Sequence, residues 1–273
     1  MSVSRASLSD LVSAAADAAR EAGKIIEEVR ASNVIGFEEK ADLSPVTLAD
    51  RRSDELLKSR LSSLVPGAAW LSEETADDSR RLTREVVWIV DPLDGTKEFV
   101  EGVPQYAVVI ALVEKGEPVL GIVHNPTTGE VFSAVRGEGA MKDGAPIVVA
   151  ESGAMLASRS EVKRGEFEPF GDWELEAVGS IALKLALVAS GHGAVTLSRG
   201  PKWEWDVCAG SLIVREAGGR ATDMLGERFR FNNAFPKVRG VLAGAPKAFD
   251  RVLARLREIG GSDRMAELSL PGK

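Results

Sequence analysis

The segment Trp88-Ile89-Val90-Asp91-Pro92-Leu93-Asp94-Gly95-Thr96-Lys97-Glu98-Phe99 closes an apolar, β-branched run with two carboxylates spaced i, i+3 and then Gly-Thr. A buried strand over Val86–Val90 would place Asp91 at its end, where Pro92 fixes φ and bends the chain so that Asp94 returns toward the same point. Both carboxylates, with the Leu93 carbonyl between them, could then face one hard cation. Gly95 lets the backbone approach closely, and if a helix begins here the free N–H groups of Gly95 and Thr96 would point at an anion. Asp-Pro and Asp-Gly are also ordinary turn dipeptides, so this segment alone leaves a metal and phosphate site and a simple turn both open.

Other acids recur at the ends of predicted elements. Leu71-Ser72-Glu73-Glu74 puts two directly after a strand, where a solvated turn is the plainer reading. Asp206, in Trp205-Asp206-Val207-Cys208-Ala209-Gly210, stands at a helix start, where an N-cap beside the helix dipole explains it without any function. Ser44-Pro45-Val46-Thr47-Leu48-Ala49-Asp50 again leaves an acid near a helix start. Each is weak singly.

Competing chemistries lack parts. The two histidines, His124 beside Asn125-Pro126 and His192 between Gly191 and Gly193, are expected at the surface. Cys208 is alone, which excludes a disulfide or a thiolate zinc site within one chain, and its apolar helical surroundings make it a packing residue rather than a nucleophile. No Walker-type Gly-Lys-Ser/Thr is present. Trp203 and Trp205 read as core, with Trp205 packed behind Asp206.

Helices and strands must bring these acids together. Leu8, Leu11, Val12, Ala15, Ala19, Ala22, Ile25, Ile26 and Val29 recur at helical spacing, with Ser7 a candidate cap and Gly36 the stop. A second helix runs from near Thr47 through Leu64 to Pro66-Gly67, after a polar loop at Lys40–Pro45. Strands follow at Ala68–Leu71, Val86–Val90, Tyr106–Val113, Val119–Val123 and Val131–Val135, the last three separated by turn residues and so expected to pair antiparallel. Beyond Lys142-Asp143-Gly144 the rhythm changes. Strand Met155–Ser158, helix Ile181–Ala189, strand Ala194–Leu197, helix Val207–Ala217, strand Arg220–Met224, strand Val238–Ala243 and helix Pro246–Ile259 alternate, the last with proline in its first turn and Gly260-Gly261 after it. The expected organisation is an α+β half over residues 1–150 carrying metal-binding loops, and an α/β half over residues 151–273 completing the site.

A chain of 273 residues is one large domain or two fused ones. With 44% hydrophobic and 27% charged residues it reads as a soluble globular protein rather than a disordered one. A net charge of −7 disfavours nucleic acid polymers and anionic membranes as non-specific partners, so an anionic substrate would need a local reversal of the field. The longest apolar run, Tyr106–Val113, is far short of the ~20 residues a membrane span needs. The first thirty residues carry Asp10, Asp17, Arg20 and Glu21 in place of an apolar signal core, and a cytoplasmic location is expected.

Taken in order, Glu73-Glu74, Asp91-Pro92-Leu93-Asp94-Gly95-Thr96, Gly179-Ser180 before a helix, and Trp205-Asp206 with Ala209-Gly210 resemble the inositol monophosphatase-like superfamily of magnesium-dependent, lithium-sensitive phosphomonoesterases. The resemblance spans residues 44–219 and implies the layered αβαβα sandwich of those sugar phosphatases. It also implies that Glu73, Asp91, Asp94, Asp206 and the Leu93 carbonyl hold two or three Mg²⁺, that Gly95, Thr96, Ser180 and Asp206 contact the ester, and that Thr96, Asp50 and Glu73 serve the attacking water. Four carboxylates in one pocket would repel unless cations neutralised them, and oxygen ligands suit Mg²⁺. A metal-activated water would attack in line, with no phosphoenzyme. The resemblance further implies a small-molecule phosphate ester as partner and a possible homodimer.

Within that superfamily, Gly95-Thr96-Lys97-Glu98-Phe99 is similar to the bacterial 3′(2′),5′-bisphosphate nucleotidases. Arg199-Gly200-Pro201-Lys202 stands where inositol phosphatases carry an acid, and cations suit a second phosphate. Lys184 could reach that phosphate or lie on a solvated helix face, and its spacing from Gly179-Ser180 resembles the inositol phosphatase pattern. Phe99-Val100-Glu101-Gly102-Val103-Pro104 is likewise closer to inositol- or histidinol-phosphate phosphatases. The expected activity is hydrolysis of 3′-phosphoadenosine-5′-phosphate to AMP and phosphate. Inositol monophosphates are the alternative substrate, and a non-catalytic regulatory module is the alternative from another class.

Overall fold

Alternate side chains of the strand Val86–Asp94 enter two different cores, and this division organises the molecule. The computed structural model describes residues 5–32, 36, 38, 39 and 45–264; the loop expected at Lys40–Pro45 lies almost wholly outside them. In chain order come helix α1 (Arg5–Ala31), strands β1 (Glu38–Glu39) and β2 (Pro45–Val46), helix α2 (Leu48–Leu64), strands β3 (Ala69–Ser72) and β4 (Val86–Asp94), and helix α3 (Thr96–Glu101). A meander follows: β5 (Ala107–Glu114), β6 (Glu117–His124), β7 (Val131–Val135), β8 (Gly139–Lys142) and β9 (Ala145–Ile147). Next are β10 (Met155–Ala157), α4 (Arg159–Lys163), β11 (Leu175–Ala177), α5 (Ile181–Ala189), β12 (Val195–Ser198), β13 (Lys202–Trp203) and α6 (Glu204–Glu216). The chain ends with β14 (Arg220–Thr222), β15 (Lys237–Val238), β16 (Val241–Gly244) and α7 (Pro246–Arg264).

The first sheet has the order β3-β4-β5-β6-β7-β8-β9, with β3 parallel to β4 and every later pair antiparallel. The second has the order β11-β10-β12-β16-β14, the first three parallel and β16 antiparallel to both neighbours. Val86, Trp88 and Val90 pack with Ala15, Ala19 and Ala22 of α1 and Leu57 and Leu61 of α2. Val87 and Ile89 point the other way, into a core with Leu185 of α5 and Leu212 and Ile213 of α6. That core also takes Val241 and Ala243 from the second sheet, whose opposite face packs Val195, Leu197 and Leu242 on Phe249, Val252 and Leu256 of α7. The layers are therefore α1α2, sheet, α5α6, sheet, α7: the expected αβαβα sandwich.

Several expected boundaries move. α1 already includes Arg5 and Ala6, both good helix formers, so Ser7 lies inside the helix and does not cap it. α7 continues through Gly260-Gly261 to Arg264, since glycine lowers helix propensity without forcing a stop. Val238–Ala243 is two strands divided at Gly240, and Asp143-Gly144 turns the chain into the unforeseen pair β8–β9. His124 and His192 separate: His192 is exposed and meets Glu176, whereas His124 is buried at the end of β6 against the Glu130 carbonyl, 3.0 Å from Nδ1. Burial holds the His124 imidazole below its ordinary pKa, which keeps it neutral. Cys208 is buried in α6, as its surroundings suggest.

Ala209-Gly210 is small because α6 is pressed against two neighbours. A Cβ at Gly121 of β6 would stand 2.8 Å from the Ala209 carbonyl oxygen and 3.1 Å from its Cα. Both are backbone atoms, so relief requires moving the helix that carries Asp206. Gly121→Ala is expected to destabilise the fold by ~1–3 kcal/mol, as overpacked cores do, measured as a lowered midpoint in chemical denaturation.

Candidate metal centre

In a regular strand residues i and i+3 face opposite sides, so the spacing of Asp91 and Asp94 is wrong for a shared ligand unless the strand is irregular. β4 does not stop at Val90, as expected, but runs through Asp94 with a bulge. Asp91 pairs with Val109 and Asp94 with Ala107, so three steps along β4 match two along β5. The extra residue reverses the alternation: Leu93 packs on the α1α2 side, and Asp94 returns to the side of Asp91. Pro92, which has no N–H to contribute to the ladder, sits where the pairing is broken. The Asp91 carboxylate accepts the Leu93 N–H at 2.9 Å, closing the turn.

Asp206 joins them from α6. It is the third residue of the helix, not its cap, and its carboxylate accepts the Trp203 N–H at 3.1 Å. Carboxylate oxygens of Asp91, Asp94 and Asp206 all lie within 4.8 Å of one another. Trp205, directly before Asp206, is nearly buried and stacks on Trp203 with ring centroids 4.7 Å apart. Asp94 is held by the N-terminus of α5, accepting from the Ser180 hydroxyl at 2.5 Å and the Ala182 N–H at 2.7 Å. Ser180 adopts φ +57°, unusual outside glycine, and its hydroxyl also accepts the Leu183 N–H at 2.9 Å. Strain of ~1–3 kcal/mol is typical of such a residue and is tolerated where surrounding bonds fix it.

Burial, followed by the charges of Glu73, Asp94 and Asp206, raises the Asp91 carboxyl well above its ordinary range. Burial and the charges of Asp94 and Glu73 do the same to Asp206, and burial pushes Asp94 up to about 6. Three mutually repelling carboxylates are what a divalent cation relieves, and a donor set made only of oxygen fits a hard ion such as Mg²⁺. Glu73 stands outside the trio, but its charge acts on Asp50, Asp91 and Asp206, so the loop after β3 borders the site.

Asp50 and Thr96 meet across the site's other flank. Thr47 caps α2, its hydroxyl receiving the Ala49 N–H at 3.2 Å, while Asp50 accepts the Thr47 N–H at 2.7 Å and the Thr47 hydroxyl at 2.5 Å. The second Asp50 oxygen lies 3.1 Å from the Thr96 hydroxyl, which is equally 3.1 Å from the Leu93 carbonyl. Burial pushes Asp50 up to about 6 despite these bonds. Gly95, at φ +99°, allows the chain to enter α3: a Cβ there would lie 3.0 Å from the Gln105 carbonyl oxygen. α3 begins at Thr96 behind Gly95, which meets the condition on which the sequence reading of these N–H groups depended.

Among the proposed second-phosphate cations, Lys184 is only 1% exposed, which rules out a solvated helix face. α5 lies between two sheets and has no such face. Lys202 is partly buried, 3.7 Å from Glu161, and Lys97 is exposed, 3.8 Å from Glu101. Arg199 is partly exposed with no ion-pair partner among the described residues. Two residues escape the sequence reading. Asp54 accepts from the Ser72 hydroxyl at 2.5 Å and the Thr75 hydroxyl at 2.7 Å, tying down the Glu73-Glu74 loop. Gln105 accepts the Gly179 N–H at 2.8 Å and fixes the entry to α5. Asp54 was signalled by lying one helical turn beyond Asp50 on the same face; Gln105 had no signal.

Because a bound divalent ion must displace protons from carboxyls whose pKa is raised, binding strengthens as pH rises through about 6. Mg²⁺ is expected to raise the melting temperature more at pH 8 than at pH 5, read by thermal shift at equal ion concentration.

The chain matches the model of the inositol monophosphatase family over residues 7–261. It is similar to an inositol monophosphatase of Mesembryanthemum crystallinum, 34% identical over 245 residues that cover 81% of this chain and 88% of that protein. It also resembles Nus factor SuhB of Vibrio cholerae, 32% identical over 90% of this chain and 95% of that one. Among solved structures, CysQ of Bacteroides thetaiotaomicron superposes with a TM-score of 0.73 and 31% identity, covering 86% of this chain and 97% of its own. No described helix is long and apolar enough to cross a membrane. With the acids converged on one bulged strand and one helix start, and the family model spanning nearly the whole sequence, the chain belongs to the inositol monophosphatase family of metal-dependent phosphatases.

Proposed function

We propose that the protein hydrolyses 3′-phosphoadenosine-5′-phosphate to AMP and phosphate, with Mg²⁺ held by Asp91, Asp94, Asp206, Glu73 and the Leu93 carbonyl. When bound, the divalent ions neutralise phosphoryl charge and acidify an attacking water. The chain's own groups do the rest. The Thr96 hydroxyl, donating to Asp50, keeps lone pairs free to orient that water, and Asp50 receives its proton; a carboxylate raised to about 6 is a competent base near neutrality. Ser180 and the Ala182 N–H hold Asp94 in place, and the first turn of α3 at Gly95 and Thr96 receives the phosphoryl oxygens. Attack is direct, without a phosphoenzyme.

An in-line displacement separates nucleophile and leaving group. Asp50 and Thr96 approach the acids from α2 and α3, and this reading directs the leaving group away from them, toward the segment between β12 and β13 that carries Arg199 and runs into Lys202. Arg199 and Lys202, both partly exposed in a chain of net charge −7, are the observation that supports a second phosphate on the leaving group. Identity to a plant inositol monophosphatase favours inositol monophosphate as the second reading. A panel of phosphate esters assayed with Mg²⁺ separates them: kcat/KM is expected to favour the bisphosphate nucleotide, and a preference for inositol 1-phosphate would overturn the choice. Similarity to a Nus factor supports a regulatory reading, which a cellular role that survives loss of phosphate release in Asp94→Asn would establish.

A further inference from the structure

Lys184 and Lys202 share one buried carboxylate. Glu161, 2% exposed in the first turn of α4, accepts from the Ser198 hydroxyl and stands 3.7 Å from Lys202 Nζ. Its second oxygen, Oε2, is buried and has no hydrogen-bond partner among the described residues. Lys184 Nζ donates to Ser158, three residues before Glu161, and its charge and that of Lys202 hold the Glu161 carboxyl below its usual range even though burial acts in the opposite direction. Each lysine adjoins a group that holds one of the acids: Lys184 stands in the first turn of α5, whose Ala182 N–H Asp94 accepts at 2.7 Å, and Lys202 directly precedes Trp203, whose N–H Asp206 accepts at 3.1 Å. The remaining charge beside Lys184 is Glu98, which Arg159 meets at 3.9 Å. Two lysines and one carboxylate leave a net single positive charge next to the elements that hold two of the three carboxylates.

We propose that Lys184, Lys202 and Glu161 form an internal counter-charge that tunes how tightly the Asp91–Asp94–Asp206 cluster binds divalent ions. The fixed cations offset part of the cluster's negative charge and so compete with an incoming ion. Glu161 sets the strength of that competition by offsetting one lysine. Removing a lysine therefore tightens ion binding, and removing the Glu161 charge loosens it. A purely structural role would weaken binding in both cases, so the opposite signs identify the electrostatic one.

The inference rests on the metal reading of the site and is tested by calorimetric titration of the purified full chain with Mn²⁺ and with Mg²⁺. Lys184→Met is expected to lower the dissociation constant about tenfold, Lys202→Met to shift it the same way, and Glu161→Gln to raise it by a similar factor. Lys184→Arg, which keeps the charge, should stay near wild type. Lys184→Met leaves Glu161 with one cation fewer and could unfold the chain. The double variant Lys184→Met/Glu161→Gln removes the pair together, restores the net single charge and is expected to bind as wild type does. If wild type binds the ion but Lys184→Met and Glu161→Gln move together, or neither moves, the inference is overturned. If wild type binds no ion, the metal reading itself fails and takes the inference with it.

Discussion

Asp94→Asn is expected to lower the rate of phosphate release by about three orders of magnitude or more while leaving the fold intact. Metal-ion catalysis supplies several kcal/mol of transition-state stabilisation, and ~1.4 kcal/mol corresponds to a tenfold rate. Asparagine keeps an oxygen that can accept from the Ser180 hydroxyl and the Ala182 N–H, so the entry to α5 survives. It removes the charge that an incoming cation needs. Stability should move the opposite way from activity. The Asp94 carboxyl titrates at about 6 in the fold against ~3.9 in an unfolded chain, so its proton is held more tightly when folded, and its contribution to stability declines as pH rises from about 4 through about 6. In the absence of divalent ions, Asp94→Asn should melt no lower than wild type at pH 8, and Mg²⁺ should raise its melting temperature far less. A variant that melts early, or that retains phosphate release, contradicts the assignment.

Asp50→Asn separates the proton-transfer step from ion binding. The Asp50 oxygens serve Thr47 on one side and Thr96 on the other, and an amide can accept on only one side. If the amide oxygen stays with the helix cap, its nitrogen faces Thr96 and reverses the direction of that bond, and no base remains. The expected loss in kcat is ~10²–10⁴-fold, with KM and divalent affinity close to wild type because Asp50 is not among the converged carboxylates. Steady-state kinetics together with an ion titration give both readouts. A loss of ion affinity equal to that of Asp94→Asn would place Asp50 among the ligands instead.

Much of the architecture was legible because periodicity is a direct consequence of burial. β5, β6 and β7 announced themselves as β-branched runs between turns, and α2 by Thr47 and its apolar spacing. β8 and β9 were not legible, since Gly139–Lys142 and Ala145–Ile147 are short, hold Ile147 as their one β-branched residue and include Gly139 and Pro146, which disfavour strands, at the sheet's outer end. At the site, Pro92 and Gly95 marked an irregular chain, but whether β4 would end or bulge was not written in residue types. The bulge depends on how β5 pairs with it.

Lys184 shows the opposite failure, where a signal was present and outweighed. Every other residue of Ile181–Ala189 is apolar, which marks a helix buried on all sides with no face left for a solvated lysine. Glu161 gave no such warning, because Arg159-Ser160-Glu161-Val162-Lys163 reads like any solvated charged turn. Its burial comes from Ser198 and Lys202, which arrive from far along the chain. The same holds for the trio itself, since Asp206 reaches Asp91 and Asp94 only because α6 packs tightly on β6.

The most direct measurement is a crystal structure with Mn²⁺ in place of Mg²⁺, its anomalous signal locating each ion without reference to the protein. At least one ion is expected within about 2.0–2.6 Å of carboxylate oxygens from Asp91, Asp94 and Asp206 together. An ion bound elsewhere, or crystals that take up none at millimolar Mn²⁺ while these three acids stay as close as they are here, would contradict the account.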